Sequence, residues 1–421
     1  MNSPTKELLI AEIEKNKKEL ISLCSDLIKI DSSNPPGDMG EITSFITNFL
    51  SKHKISWEIL DKTGSTPNII AKIGPDFGRT LILNGHMDVV PAGDISKWDV
   101  PPFSGLVKDG VLHGRGATDM KCGIGGLLFA LSMIVKHQVQ LKGKALLTIV
   151  PDEEIGGPNG TKWLVENGIT KGDACIVAEP SCHHNCEIGQ KGSLWLKLIA
   201  QGKSAHGSLA PFAGDNAIEK LLKAIEAIRS VQDLQVFLPA KIEETMKLTK
   251  KVVREELLKQ KGAEYILDHL TFNVGKICGG TKVNMVPDHA EAEIDIRIPV
   301  GLKADTVREK IEFLLKKSGI EGIQCVYNGY SDPNTTDQDE EIVETLAANV
   351  RAVADINLQK TFQWASSDTK FYRYAGIPTI QYGPANLEGI HSYNESVNID
   401  EVVLCTKVYL GTIMDYLGYD T

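Results

Sequence analysis

No uninterrupted apolar run in the chain approaches the roughly 20 residues that a membrane span needs, so no membrane partner is expected. The first twenty residues also lack the apolar core of a secretory signal, which makes the cytoplasm the expected location. Cysteine is sparse. Eight thiols, at positions 24, 122, 175, 182, 186, 278, 325 and 405, are scattered over 421 residues, which excludes the disulfide framework of small secreted domains. The one tight grouping, Cys182-His183-His184-Asn185-Cys186, has no second Cys/His pair at zinc-finger distance, and it reads as a loop with incidental thiols. Positive charge is in deficit: 45 Lys and Arg stand against 55 Asp and Glu, a net charge of -10. That balance argues against a nucleic-acid footprint and leaves small substrates and cationic metals open. Nucleotide-binding loops are missing as well. Around Gly114 and Gly116 the third glycine of the dinucleotide fingerprint is absent, and no Gly-Lys-Ser/Thr follows for a P-loop. There is no internal repeat and no low-complexity segment.

What is present is ordinary for a soluble enzyme, with 42% apolar and 24% charged residues. A chain of 421 residues exceeds the size at which one core stops growing, so two domains are expected. Apolar positions at helical spacing predict a first helix over 5–30, ending before Asn34-Pro35-Pro36-Gly37. Strands are predicted at 55–60, 68–73, 81–83, 144–150 and 174–178. From Gly192 the texture changes to strand 193–200, helix 216–228, strands 271–277 and 290–298, helix 304–317 and strand 322–327. That order is the split βαβ pattern. The expected fold is therefore α/β: a first domain, residues 1–185 and 329–421, with a mixed, largely parallel sheet flanked by helices. Residues 186–328 are expected to form an inserted α+β, ferredoxin-like domain.

Chemistry-bearing residues cluster where the predicted strands end. The stretch Leu81 to Pro91, LILNGHMDVVP, reads as a buried strand that breaks at Asn84-Gly85 and delivers His86 and Asp88 to one point. In an open parallel sheet, ligands sit beyond the carboxyl ends of the strands. Alone, His86 fits equally well a hydrogen-bonded strand cap. Asp119 stands just before a helix at 123–135, and strand 144–150 runs into Pro151-Asp152-Glu153-Glu154. Three consecutive acids at a strand end are costly unless solvated or ligated, and a solvated acidic turn is the plain alternative. Glu179 ends the strand 174–178, and His391 lies in a late Gly-Ile-His-Ser segment. Two divalent zinc ions held by histidines and carboxylates suit hydrolysis, because they polarise a carbonyl and acidify a water. His86, Asp119, Glu154, Glu179 and His391 supply that set, and Glu153 is left over to act as a base.

Six ordered segments, LILNGHMDVVP, HGRGATDMKCG, PDEEIGG, AEP, KSAHGS and GIHSYNE, resemble the M20 family of metallopeptidases and aminoacylases, in its acetylornithine deacetylase and succinyl-diaminopimelate desuccinylase group. The resemblance covers essentially the whole chain, and it implies that residues 1–185 and 329–421 form a zinc-peptidase-like catalytic domain. It implies that His86 and Glu179 complete one metal position, Glu154 and His391 the other, with Asp119 bridging two zinc ions, cobalt being the other candidate. It makes Glu153 the general base and Asp88 the partner that accepts a hydrogen bond from the second ring nitrogen of His86. It also implies that the inserted domain, a dimerisation or lid module, pairs two subunits and carries His206 to the oxyanion of its partner's site. Asn284 and Arg297 match substrate-binding positions. One departure stands out: the family commonly has Ser-Asp-x-Arg where this chain has Ser367-Asp368-Thr369-Lys370, and lysine cannot offer a bidentate fork, so Lys370 is expected to meet an anionic group as a point charge. The expected activity is cleavage of an N-acyl amino acid, with a dipeptidase or carboxypeptidase using the same metals as the alternative and a non-catalytic binding protein as a third reading.

Overall fold

The computed structural model describes residues 5–420. The chain divides into a first unit, Met1–Ile188 with Thr336–Thr361 and Ser367–Thr421, and a second, Gly189–Thr335 with Phe362–Ser366. These seams fall a few residues after 185 and 328, because the strands Asn185–Gln190 and Ile323–Ser331 run through both positions.

The first unit is built on a sheet of β1 (Ser56–Asp61), β2 (Pro67–Ile73), β3 (Thr80–His86), β4 (Lys144–Val150), β5 (Ala174–Val177) and β6 (Asn185–Gln190), joined by the late strand Thr379–Gln381. Their order is β1-β2-β4-β3-β5, then Thr379–Gln381, then β6. β4 with β3, β3 with β5, and β5 with Thr379–Gln381 run parallel, while the outer pairings are antiparallel. The sheet is thus mixed with a parallel centre, and less parallel than the sequence suggested, because a β1–β2 hairpin joins β4 antiparallel on one side and β6 joins Thr379–Gln381 antiparallel on the other.

Being central, β3 is covered on both faces, which accounts for its continuous apolar run. The strand does not break at Asn84-Gly85; it continues to His86. Asn84 is retained in the strand because its amide donates to Thr148 Oγ1 at 2.9 Å and to Thr161 Oγ1 and Tyr372 Oη at 3.2 Å each. Gly85 is there because a side chain would meet Ile124 Cγ1 at 2.9 Å, so only glycine lets the next helix approach.

That helix, Cys122–Lys136, is buried almost throughout and packs against Ile399–Leu417 and Lys17–Lys29. The segment Ala117–Lys136 is long and apolar enough to cross a membrane by length and composition, contrary to the expectation that no such stretch exists; here its apolar surface faces protein. The helix predicted over 5–30 is two helices, Lys6–Lys15 and Lys17–Lys29. Asn16 divides them, its amide donating to the carbonyl of Glu12 at 2.7 Å, a local bond that competes with helix continuation.

The second unit carries β7 (Gly192–Gln201), β8 (Thr271–Gly279), β9 (His289–Ile298) and β10 (Ile323–Ser331), ordered β8-β9-β7-β10 and antiparallel throughout. Alternate residues of β7 and β9, among them Leu194, Leu196, Ile294 and Ile296, form one core with Leu221, Ile225 and Ile228 of the helix Ala217–Arg229 and with Val307 and Ile311 of the helix Ala304–Ser318. Period-two burial on strands and three- and four-residue spacing on helices make this the βαββαβ arrangement.

Candidate metal centre

Strand register assembles the centre. His86 at the end of β3 pairs with Val150 at the end of β4, and Asn84 pairs with Val177 at the end of β5. The residues that follow each strand, Met87-Asp88, Asp152-Glu153-Glu154 and Glu179, are therefore delivered side by side at the carboxyl ends of the parallel strands, where open α/β sheets keep their ligand crevices. Asp119 enters from the loop before the helix Cys122–Lys136, and His391 from a late loop where its φ of +56° is unusual for a residue other than glycine.

Two clusters result, and they share Asp119. In one, His86 Nε2 lies 3.0 Å from Asp119 Oδ1 and 3.3 Å from Glu179 Oε1. In the other, His391 Nε2 lies 3.3 Å from Asp119 Oδ2 and 3.2 Å from Glu154 Oε2. In each triad the potential ligand atoms lie within 4.8 Å of one another, and no other such cluster occurs among the described residues. The donor set fits a pair of divalent cations: histidine nitrogen with carboxylate oxygen suits zinc and its neighbours. Glu154 Oε1 is buried without a hydrogen-bond partner, an acceptor that a cation would satisfy.

The electrostatics say the same. Burial and Asp119 push Glu179 up to about 7. Burial and Glu179 push Glu153 well above the carboxylate range, and burial and Asp119 raise Glu154. Hydrogen bonds to Asp119 and Glu154 lift His391 to about 11. Burial opposes charge on His86, yet Glu179, Asp119 and Asp88 outweigh it and raise the imidazole well above its ordinary value. Burial likewise opposes charge on Asp119, but His391 and His86 hold that carboxyl low. Protons on two imidazoles occupy the place that cation charge would take, and binding a metal would expel them.

Asp88 offers the second ring nitrogen of His86 two acceptors, its main-chain carbonyl and its carboxylate. His86 Nδ1 donates to the main-chain carbonyl of Asp88 at 2.9 Å, while the Asp88 carboxylate is 3.4 Å away. A carbonyl only accepts, so Nδ1 carries the hydrogen and Nε2 faces the cluster. The buried carboxylate also accepts from the main-chain N–H groups of Glu153 and Glu154, at 3.2 Å each, and from Asn34 Nδ2 at 3.0 Å. Through these bonds it holds the acidic turn.

Sequence reasoning gave Glu395 no role, although it closes the GIHSYNE segment. Its carboxylate, 1% exposed, accepts from Arg115 Nη1 at 2.7 Å and from the N–H groups of Gly116, Thr118 and Asp119 at 3.1, 2.9 and 3.0 Å. The only signal in the sequence was its place four residues after His391.

His206, Asn284 and Arg297 lie in the second unit. His206 pairs with Met285 in a two-residue ladder, and Gly207 N–H donates to the Asn284 carbonyl at 2.8 Å, so these two loops are joined. The exposed His206 ring accepts from Ser208 N–H at 3.3 Å. Arg297 is not brought to them. It pairs with Ser193 and Thr271, at the end of the sheet opposite the Gln201–His289 pair, about 27 Å along β9 at strand rise, and it bonds Asp295 at 3.0 Å. In the first unit Lys370 Nζ lies 4.6 Å from the Phe371 ring centroid, next to the buried Asp368. Arg373, one turn on, does not replace the missing arginine: its guanidinium is spent on the carbonyls of Thr379 and Glu187 and on Thr369 Oγ1, at 2.9–3.2 Å.

Residues 82–415 match the profile of peptidase family M20/M25/M40. The succinyl-diaminopimelate desuccinylase of Hahella chejuensis is 29% identical over 84% of this chain and 87% of that protein. The aminoacylase-1 of Dictyostelium discoideum is 29% identical over 96% of this chain and 97% of its own. Among solved structures, the M20 family metallo-carboxypeptidase Sso-CP2 from Sulfolobus solfataricus superimposes with a TM-score of 0.81 at 23% identity, covering 94% of this chain and 98% of that one. With this match and a centre that accommodates two cations, the chain belongs to peptidase family M20/M25/M40 and is a metallohydrolase of that family.

Proposed function

We propose that the protein is a co-catalytic di-zinc amidohydrolase that removes the acyl group from an N-acyl amino acid. The observation that carries this reading is the sharing of Asp119 by two histidine-carboxylate triads, with Glu153 directly beside Glu154. His86 and Glu179 would hold one ion, Glu154 and His391 the other, and Asp119 both. Bound there, the ions would polarise the scissile carbonyl and acidify water. Glu153, raised by burial and by Glu179, is suited to take the proton of that water and return it to the leaving amine. Asp88 keeps Glu153 at its post through the main-chain hydrogen bond. Lys370 meets an anionic group of the substrate as a point charge. The likeness to a metallo-carboxypeptidase favours, as a second reading, hydrolysis of a short peptide at the same centre.

We read the second unit as a dimerisation module of a cytoplasmic homodimer, with His206 serving the partner's centre. The exposure of Leu209, Phe212 and Val283 around the His206 loops supports that reading. Elemental analysis should find two transition-metal ions per chain, zinc or cobalt. A panel of acetyl, succinyl and dipeptide substrates, assayed with each metal, separates deacylase from peptidase, and protein that stays metal-free after reconstitution refutes the proposal. Mixed dimers of a His206→Ala chain and a Glu153→Ala chain should regain part of the activity; no recovery sinks the cross-subunit role.

A further inference from the structure

We infer that Glu395 is the positioning residue of the centre: it aims Asp119 and ties the Asp119 loop to the His391 loop, so that both cation positions form together. The inference rests on the two-cation reading of the Asp119 clusters.

The loop from Gly114 to Asp119 is irregular, with turn bonds from Ala117 N–H to the Gly114 carbonyl and from Lys121 N–H to the Gly116 carbonyl at 3.1 and 2.9 Å. Gly114 and Gly116 have φ of +144° and +84°, and Asp119 has the non-helical angles φ -119° and ψ 97°. No strand ladder uses the N–H groups of Gly116, Thr118 or Asp119; they converge on one carboxylate. Oε1 of Glu395 takes Thr118 and Asp119, while Oε2 takes Gly116 and the Arg115 guanidinium. The main chain of Glu395 works in the same direction: its carbonyl accepts from Gly114 N–H at 2.9 Å, and the residues after it, Ser396–Asn398, pair with Val111–His113. One residue therefore grips the Asp119 loop at both ends while following His391 by four positions.

The direction of that grip matters because the two oxygens of Asp119 are committed to different histidines, Oδ1 to His86 and Oδ2 to His391. A carboxylate rotated by a relaxed loop leaves both triads at once. Partners that orient ligands commonly contribute 10–100-fold, as an order of magnitude, to metal affinity.

Co(II) titrated into metal-free protein, followed by its d–d absorption, tests the inference. Glu395→Ala should weaken binding about 10–100-fold, with both positions losing affinity together and the absorption band altered. Glu395→Gln keeps the volume and one acceptor oxygen, and should fall between Ala and the parent chain. Thermal unfolding of the metal-free proteins shows which variants are folded; if Glu395→Ala is not, Glu395→Gln decides. A folded Glu395→Gln protein with the parent's Co(II) affinity and spectrum overturns the inference, whatever its melting temperature, because that is the signature of a merely structural role. If the parent chain itself binds no Co(II), the two-cation reading fails, and this result is distinct from any behaviour of the variants.

Discussion

Asp88→Asn separates two roles for one carboxylate. If Asp88 oriented His86 through its side chain, the substitution would loosen a metal ligand. The geometry assigns that task to the main-chain carbonyl, 2.9 Å from Nδ1, which the substitution leaves in place. What the amide disturbs is the acidic turn. Its oxygen can stand where Oδ2 stood and keep the donors Asn34 and Glu154; its NH2 group then faces the N–H of Glu153. One buried donor is left unpaired, at about 1–3 kcal/mol, and the two remaining bonds lose charge assistance worth about half their strength. The expected loss of stability is about 2–4 kcal/mol by the same bond energies. Chemical denaturation measures it. Co(II) affinity should stay within about threefold of the parent, while kcat falls about 10–100-fold because Glu153 is no longer held; a misplaced catalytic group commonly costs that much. Affinity lowered tenfold or more, with unchanged kcat per bound metal, would refute the reasoning and return the carboxylate to His86.

Glu153→Ala should retain both metal ions and lose about 10²–10⁴-fold in kcat; an active variant would remove Glu153 as the base. Metal binding at neutral pH should release protons, since His391, raised to about 11, is charged when no cation is present. Titration calorimetry in two buffers of different ionisation enthalpy reads this out, and equal heats would contradict it. Glu187 is buried, with one oxygen unpartnered, and burial raises its carboxyl from 4.5 to about 8. The folded chain then binds a proton that the unfolded chain releases between those values, so stability is fully present below 4.5 and is lost as pH rises through 8. Glu187→Gln should therefore match the parent near pH 5 and exceed it by about 3–5 kcal/mol near pH 9; a gain independent of pH would refute the assignment.

Much of the centre was legible in the sequence because its ligands follow strands whose apolar runs are unmistakable. His86, Glu154 and Glu179 are read from β3, β4 and β5, Asp119 and His391 join them as a carboxylate and a histidine in flanking loops, and the family resemblance divides the set between two metal positions. Backbone contacts were not legible. The choice of Asp88 between a ring nitrogen and the N–H groups of a turn depends on differences of a few tenths of an ångström, which no spacing encodes. Glu395 is an unremarked acid until its loop is seen to lie against residues 114–119. Asn84-Gly85 misled for the opposite reason, since two residues typical of turns were selected here for side-chain bonding and close packing within a strand. Arg297 was placed by motif, and its strand register, at the end of its sheet away from the Gln201–His289 pair, was not legible either.

The strand Thr379–Gln381 lies between β5 and β6, its neighbours in the sheet but among the last segments to be made. A chain still on the ribosome after residue 188 carries β3, β4 and β5 with an open slot beside them, and it holds His86 and Glu179 without His391 or Glu395. Its edges are bare and apolar in the meantime, a state that invites association with other chains. Cations can be captured in full only once the closing strand has slid home. A full pair of cations would thus mark a finished chain, because a chain cut short before that point could neither close its sheet nor complete the triad of Asp119, Glu154 and His391.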